Sequence, residues 1–324
     1  PRGLARRVPP AVFPSIMGLF GLGLAWRRFA VITDLPPALP EALLGGVTLL
    51  YLFALAAYGL KLARRPAVLQ GDIAVLPGRL GLSAALACSY LLVVALAPYL
   101  PGWVGTILVG ALVVHLGLIL HILPVLRLVP PPARHLKAGG HLYLTSPLVG
   151  AMAAAMTGNI AIAQGLLVVT VPVGAAIMGA DLVALLRGRS PAPPLRPLLA
   201  LHLSVASVAG ITCGGLGYDT AATGFALLAA VLLCAFVVFG RWLTGGGFSA
   251  LWSAFTFPLA ATASLWLMQG GGWLWAGQGV LLVATGIVPA IAFRVMKLWA
   301  GGTRNCGTCH RAHTTPRIAE ETTG

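Results

Sequence analysis

The chain has 324 residues, of which 58% are hydrophobic and 9% charged, with a mean hydropathy of +0.93. Soluble domains carry about 25% charged residues, so a soluble globular protein is excluded, as is a disordered one. Five scattered cysteines also exclude a disulfide scaffold. Lys and Arg number 21 against seven acidic residues, a net charge of +14. In so apolar a chain this excess reads as basic residues flanking membrane spans and not as a nucleic-acid footprint.

A membrane span needs about 20 mostly apolar residues. Ten runs qualify: 11–30, 42–62, 81–100, 103–126, 143–163, 165–186, 197–216, 221–242, 247–268 and 272–296. They predict an all-α integral membrane protein with a short N-terminal segment (1–10), a ten-helix transmembrane domain (11–299) and a flexible tail (300–324). Nineteen of the 21 basic residues fall at one end of these spans; Arg27 and Arg28 alone fall at the other. That bias predicts both termini in the cytoplasm, and it accounts for the net charge with lipid as the partner. Links after spans 3, 5, 7 and 9 are short, while those on the basic side are longer and rich in Pro, Gly and Arg. The chain therefore reads as five parallel helical hairpins.

Small residues let helices approach closely or line a pore. Fourteen-residue windows in spans 5, 7 and 9 (148–161, 203–216, 251–264) each hold eight Gly, Ala, Ser or Thr. Span 4 (107–120) holds three, span 8 (225–238) four, and spans 6 and 10 six each. Odd spans inside and even spans outside is the arrangement this favours, with tight packing and no pore as the plain alternative. In span 9, Ser253, Phe257, Ala260, Ala261 and Ser264 share one helical face. Pro258 predicts a kink there. A single large ring among small residues can close a pore by excluding water, or can simply pack.

Three segments carry a resemblance. Span 1 reads Pro10-Ala-Val-Phe-Pro-Ser-Ile-Met-Gly-Leu-Phe-Gly-Leu-Gly-Leu-Ala-Trp26. Span 9 reads Leu251-Trp-Ser-Ala-Phe-Thr-Phe-Pro-Leu-Ala-Ala261. Before span 7 comes Pro193-Pro-Leu-Arg-Pro-Leu-Leu-Ala-Leu201. Together, over about Val8 to Trp299, these resemble the tellurite-resistance/dicarboxylate transporter family, which includes slow-type anion channels. The resemblance implies ten helices as five hairpins with quasi-five-fold symmetry around a central pore lined by the odd helices. It also implies homotrimers in the bacterial inner membrane and conduction of small anions, with a link to tellurite resistance. The family's occluding phenylalanine falls on Phe257. The prolines that kink its odd helices match Pro14, Pro147 and Pro258; span 3 has none before Pro98, and span 7 has only Pro197.

The candidate pore-lining residues are Ser15, Gly18, Ser83, Thr145, Pro147, Thr157, His202, Ser204, Ser207, Ser253, Pro258, Ala261 and Ser264. No Lys or Arg lies at the middle of a span, which speaks against a tight cationic clamp. His115 and His121, six residues apart, do not share a helical face and read as packing histidines. Asp181 is expected to pair with Arg187 or Arg196, and His202 is the candidate for pH sensitivity. The tail carries Cys306, Cys309, His310 and His313, a compact set with a weak metal or redox reading. No cofactor is expected. A proton-coupled carrier of dicarboxylates or oxyanions is the alternative to a channel. A membrane reductase using the tail cysteines is a third reading, but nothing within the spans supports catalysis.

Overall fold

A computed structural model describes residues 8–128 and 137–301. Among them every regular element is helical: α1 (Phe13–Ile32), α2 (Ala38–Arg64), α3 (Ala67–Ala74), α4 (Leu76–Leu96), α5 (Pro101–Leu128), α6 (Pro147–Met156), α7 (Ile160–Leu186), α8 (Leu201–Gly215), α9 (Asp219–Val238), α10 (Gly240–Leu243), α11 (Thr256–Gln269) and α12 (Gly272–Gly301). Within these residues nine helices are long and apolar enough to cross a membrane. The chain is a multi-pass membrane protein by this measure.

The expected span at 143–163 is the exception. It divides into a π turn, His141–Thr145, and the ten-residue α6. Gly158, at φ 79°, then reverses the chain, and α7 has begun by Ile160. The reason lies in Pro147. Without an N–H, and with a ring that crowds the preceding turn, proline cannot extend an α-helix backwards. It sits instead in the first turn of α6, where no donor is lost.

The same device recurs. Pro14 and Pro77 occupy the first turns of α1 and α4. Three-residue-per-turn segments lead into α1 (Pro10–Val12), α8 (Pro193–Ala200) and α11 (Ala250–Phe255). The kink expected at Pro258 is therefore a change of helix type just upstream, at Phe255–Thr256, where Thr256 Oγ1 donates to Ser253 O at 2.7 Å.

The packing contacts close a circuit. α1 packs on α4, α4 on α6, α6 on α8, α8 on α11, and α11 back on α1. Each of these five is followed in the chain by a helix packed against its outside: α2 on α1, α5 on α4, α7 on α6, α9 on α8 and α12 on α11. Burial sorts the two sets. From 56 to 83% of the most apolar stretch is buried in the segments containing α1, α4, α8 and α11, against 17 to 33% in α2, α5, α7, α9 and α12. Every residue of α6 except Met156 is buried. Valines and leucines such as Val113, Val168, Val231 and Leu282 cover the outside. An exposed aliphatic surface of this extent suits lipid, since a soluble monomer exposes no apolar patch of such size.

Close approach within the circuit depends on glycine. A Cβ on Gly18 of α1 would overlap the side chain of Thr256, which is fully buried at the start of α11.

Candidate functional site

Two cavities lie along the circuit. The first, about 300 Å³, is lined by the leading ends of α1, α4, α6, α8 and α11 and by the turns that precede them. The second, about 470 Å³, is lined by the trailing ends of the same five helices and their following residues. No residue of α2, α5, α7, α9 or α12 lines either cavity.

Phe257 is the one residue common to both linings. Its side chain is 4% exposed. Gly21 of α1 backs the ring, and Thr256 is anchored beside it through its bond to Ser253 O. Above and below the ring the face expected from span 9 divides between the cavities, except for Ala260, which is fully buried and lines neither. Ser253 and Pro258 line the first; Ala261 and Ser264 line the second.

The other candidates separate into two groups. Thr145 and Ser204 line the first cavity, and Thr157 lines the second. Ser15, Ser83 and Ser207 are fully buried and line neither. Ser207 spends its hydroxyl on Thr262 Oγ1 at 2.8 Å, tying α8 to α11. The Ser15 and Ser83 hydroxyls have no hydrogen-bond partner among the described residues. Gly18 serves the α1–α11 contact, and Pro147 is buried between Ser146 and Leu148, both of which line the first cavity. No protein-family model and no curated protein matches the chain.

The polar equipment of the two cavities differs. Arg27 and Arg28 line the second. Arg27 is held by Glu41, with Nε–Oε1 and Nη2–Oε2 both at 2.6 Å, and it also donates to Val94 O and Ala95 O at the end of α4. Tyr99 donates to the same carboxylate at 2.8 Å. That hydrogen bond holds the Tyr99 phenol above its ordinary value. Arg28 has no ion-pair or hydrogen-bond partner among the described residues, so its charge faces the second cavity uncompensated.

The first cavity holds no cationic side chain. Its walls carry the hydroxyls of Thr145, Ser146, Ser204, Ser249 and Ser253, and the imidazole of His141. His141 leads into a buried chain of polar groups. Its Nε2 is 2.7 Å from His202 Nδ1, and His202 Nε2 is 3.2 Å from Asp181 Oδ2. Asp181 therefore meets His202 on α8, and the expected pairing with Arg187 or Arg196 is not found. Arg196 instead donates to Pro191 O and Trp242 O and stacks on the Trp242 ring. His202 lies behind His141 and is not itself in the cavity lining. His141 was not among the expected site residues. Its spacing of four from Thr145 was the available signal, since the two share a helical face.

Of the two histidines expected to pack, only His115 is buried. His115 Nδ1 lies 3.0 Å from the Tyr90 hydroxyl and its ring stacks on that tyrosine, while His121 is exposed. Cys88 and Cys213 are buried, and Cys234 is exposed. Among the described residues no group of three His, Cys, Asp or Glu is arranged to hold a metal ion. Cys306, Cys309, His310 and His313 lie outside the described residues.

Proposed function

We propose that this chain is a gated channel for small anions, of the tellurite-resistance/dicarboxylate transporter kind, with its pore along the axis of the five inner helices. Phe257 is the gate. The observation that carries this reading is that Phe257 alone belongs to both cavity linings. A single buried ring then stands between two cavities of about 300 and 470 Å³. An apolar constriction of this type closes a pore by excluding water from it.

The electrostatics fit anion passage without capture. A conducting site must attract its ion yet release it, so a buried cationic clamp would be counterproductive. The charge of Arg28 stands at one mouth, and the first cavity offers neutral hydroxyls. The bias of basic residues to the opposite end orients the first cavity toward the cytoplasm and Arg28 toward the outside. The bacterial inner membrane, a trimeric assembly and a part in tellurite resistance belong to the same reading and rest on the resemblance of spans 1 and 9.

The test is anion flux in liposomes under a membrane potential, wild type against Phe257→Ala. The expected result is a large current in the variant with weak selectivity among chloride and nitrate. Equal currents at equal reconstitution would remove Phe257 as the gate.

A further inference from the structure

The chain Asp181–His202–His141 has a proton count that its surroundings fix. The Thr145 hydroxyl has one proton and gives it to His141 O at 2.8 Å. Its oxygen lone pairs then face His141 Nδ1 at 3.3 Å. His202 Nε2 lies 3.2 Å from Asp181 Oδ2; with that carboxylate ionised, the proton of a neutral His202 belongs on Nε2, and its Nδ1 accepts from His141 Nε2. With both rings neutral, His141 Nδ1 is bare and confronts an oxygen lone pair. Adding one proton at Nδ1 turns this repulsion into a donated bond to Thr145, and no ring nitrogen then sets a lone pair against another lone pair. The charge so created is balanced by Asp181, whose Oδ2 is buried without an aligned donor of its own. The two rings are perpendicular and their nitrogens point at each other, not at a common centre. This is the geometry of a proton site and not of a metal clamp.

We infer that Asp181, His202 and His141 bind one proton in the wall of the first cavity, and that a small anion in that cavity and this proton favour each other's binding. The inference rests on the channel reading for the anion's presence in the cavity. Protonation removes the net negative charge of the site and places an imidazolium at the wall of the first cavity, which otherwise holds no cation. Two ligands that stabilise one another do so reciprocally: acid must strengthen anion occupancy, and anion must raise the proton affinity by the same factor.

The elements packed against these three carry few other titratable groups. The π turn brings Tyr143 as well as His141. α4 contributes Arg79, whose guanidinium donates to Ile73 O and Ala74 O, together with Cys88 and Tyr90. α7 carries Asp181, with Arg187 following its last turn, and the segment before α8 carries Arg196, engaged at Trp242. α9 holds Asp219 at its first residue and the exposed Cys234; α6 and α11 hold no titratable side chain.

Two measurements test the inference. In the first, histidine-labelled full-length protein in lipid nanodiscs is titrated by imidazole NMR from about pH 8 to about pH 3. The His141 and His202 signals are expected to move together in one step, and sodium nitrate is expected to move that step to higher pH. His202→Gln should abolish the joint step. Asp181→Asn, nearly isosteric, should shift it to lower pH, because it removes the charge that stabilises the imidazolium. Rings that do not titrate, or a step indifferent to nitrate, would overturn the inference. In the second, nitrate flux through Phe257→Ala is expected to rise about fivefold or more over the same range. The rise should be absent in Phe257→Ala/His202→Gln. Flux that is large but independent of pH defeats the proton site and leaves the channel intact. No flux at any pH defeats the channel reading, and the nitrate-dependent NMR step then decides the site alone.

Discussion

Gly21 on α1 lies directly against the ring of Phe257 on α11: a Cβ there would sit 3.0 Å from Phe257 Cδ2 and 3.3 Å from Cε2. It would also meet Ala260 Cβ at 3.1 Å. The ring is thus braced by an absence of side chain on one side and faces a cavity on each of two others. Gly21→Ala is expected to crowd it, at an overpacking cost of about 1–3 kcal/mol. Space for relief exists only toward the cavities, so the variant should leak anions more than wild type. Much of the stability loss should vanish in the Phe257→Ala background, leaving the Ala260 contact. Thermal unfolding of the four proteins in the cycle measures the coupling, and additive effects would mean that Gly21 does not brace the ring.

Gly18 makes a sharper demand. Its added Cβ would overlap both Cβ and Oγ1 of Thr256, a fully buried residue anchored to Ser253 O. A β-branched side chain so placed has no rotamer to retreat into. Gly18→Ala is expected to reduce folded yield severely. Gly45→Ala on α2 is the matched control, because nothing lies within 4 Å of its new Cβ. That substitution should stabilise by about 0.5–1 kcal/mol, the ordinary gain of alanine over glycine in a helix. Size-exclusion profiles in detergent separate the two. Equal behaviour would contradict the α1–α11 contact.

How much of this was legible in the sequence depends on the kind of information needed. Apolar run length was enough to place the nine long helices, because lipid leaves the backbone few alternatives. Small-residue content pointed to the helices that pack inside, since spans 5, 7 and 9 hold the residues that permit close contact. The break of the fifth span was partly written in Ser146-Pro147 and Gly158, but a run-length criterion does not weigh a missing N–H. The proton chain was least accessible. His141 lies between two apolar runs, and the sequence offers Asp181 only the nearby arginines as partners. Only the packing of α7 and the π turn against α8 brings Asp181 and His141 to the two sides of His202.

The network around Glu41 joins three helices at one end. Its carboxylate takes two bonds from Arg27 of α1 and one from Tyr99 beyond α4, and Arg27 also satisfies carbonyls of α4. Both charged side chains are about a quarter exposed or less, at 18 and 26%. Charge-assisted bonds of this sort contribute about 1.5–3 kcal/mol. Glu41→Gln is expected to cost a stability in the lower part of that range, given partial exposure. It should also release the Tyr99 phenol, which the carboxylate holds above its ordinary value, so that Tyr99 titrates at lower pH in the variant. The Tyr99 ring-carbon NMR signal reports this directly. An unmoved titration would separate Tyr99 from the network.

Arg28 differs from its neighbour Arg27 in having no partner to neutralise it. A lone guanidinium at the edge of the second cavity raises the local concentration of anions, an effect that salt weakens because the screening length falls from about 10 Å at 0.1 M to about 3 Å at 1 M. With the gate removed by Phe257→Ala, Arg28→Gln is therefore expected to lower nitrate flux several-fold at low ionic strength and to have little effect at high. Arg28→Lys should retain most of the flux, because attraction at a distance needs charge and not the planar fork. Arg27→Gln is the contrasting variant. Arg27 already shares its charge with Glu41 at 2.6 Å, so its loss should reduce stability and also expose the negative charge of Glu41 beside the cavity. The salt dependence separates attraction from a mere change of bore. A flux loss in Arg28→Gln that persists unchanged at high salt would make Arg28 a steric element of the mouth, and no loss at either salt would leave it without a part in anion entry.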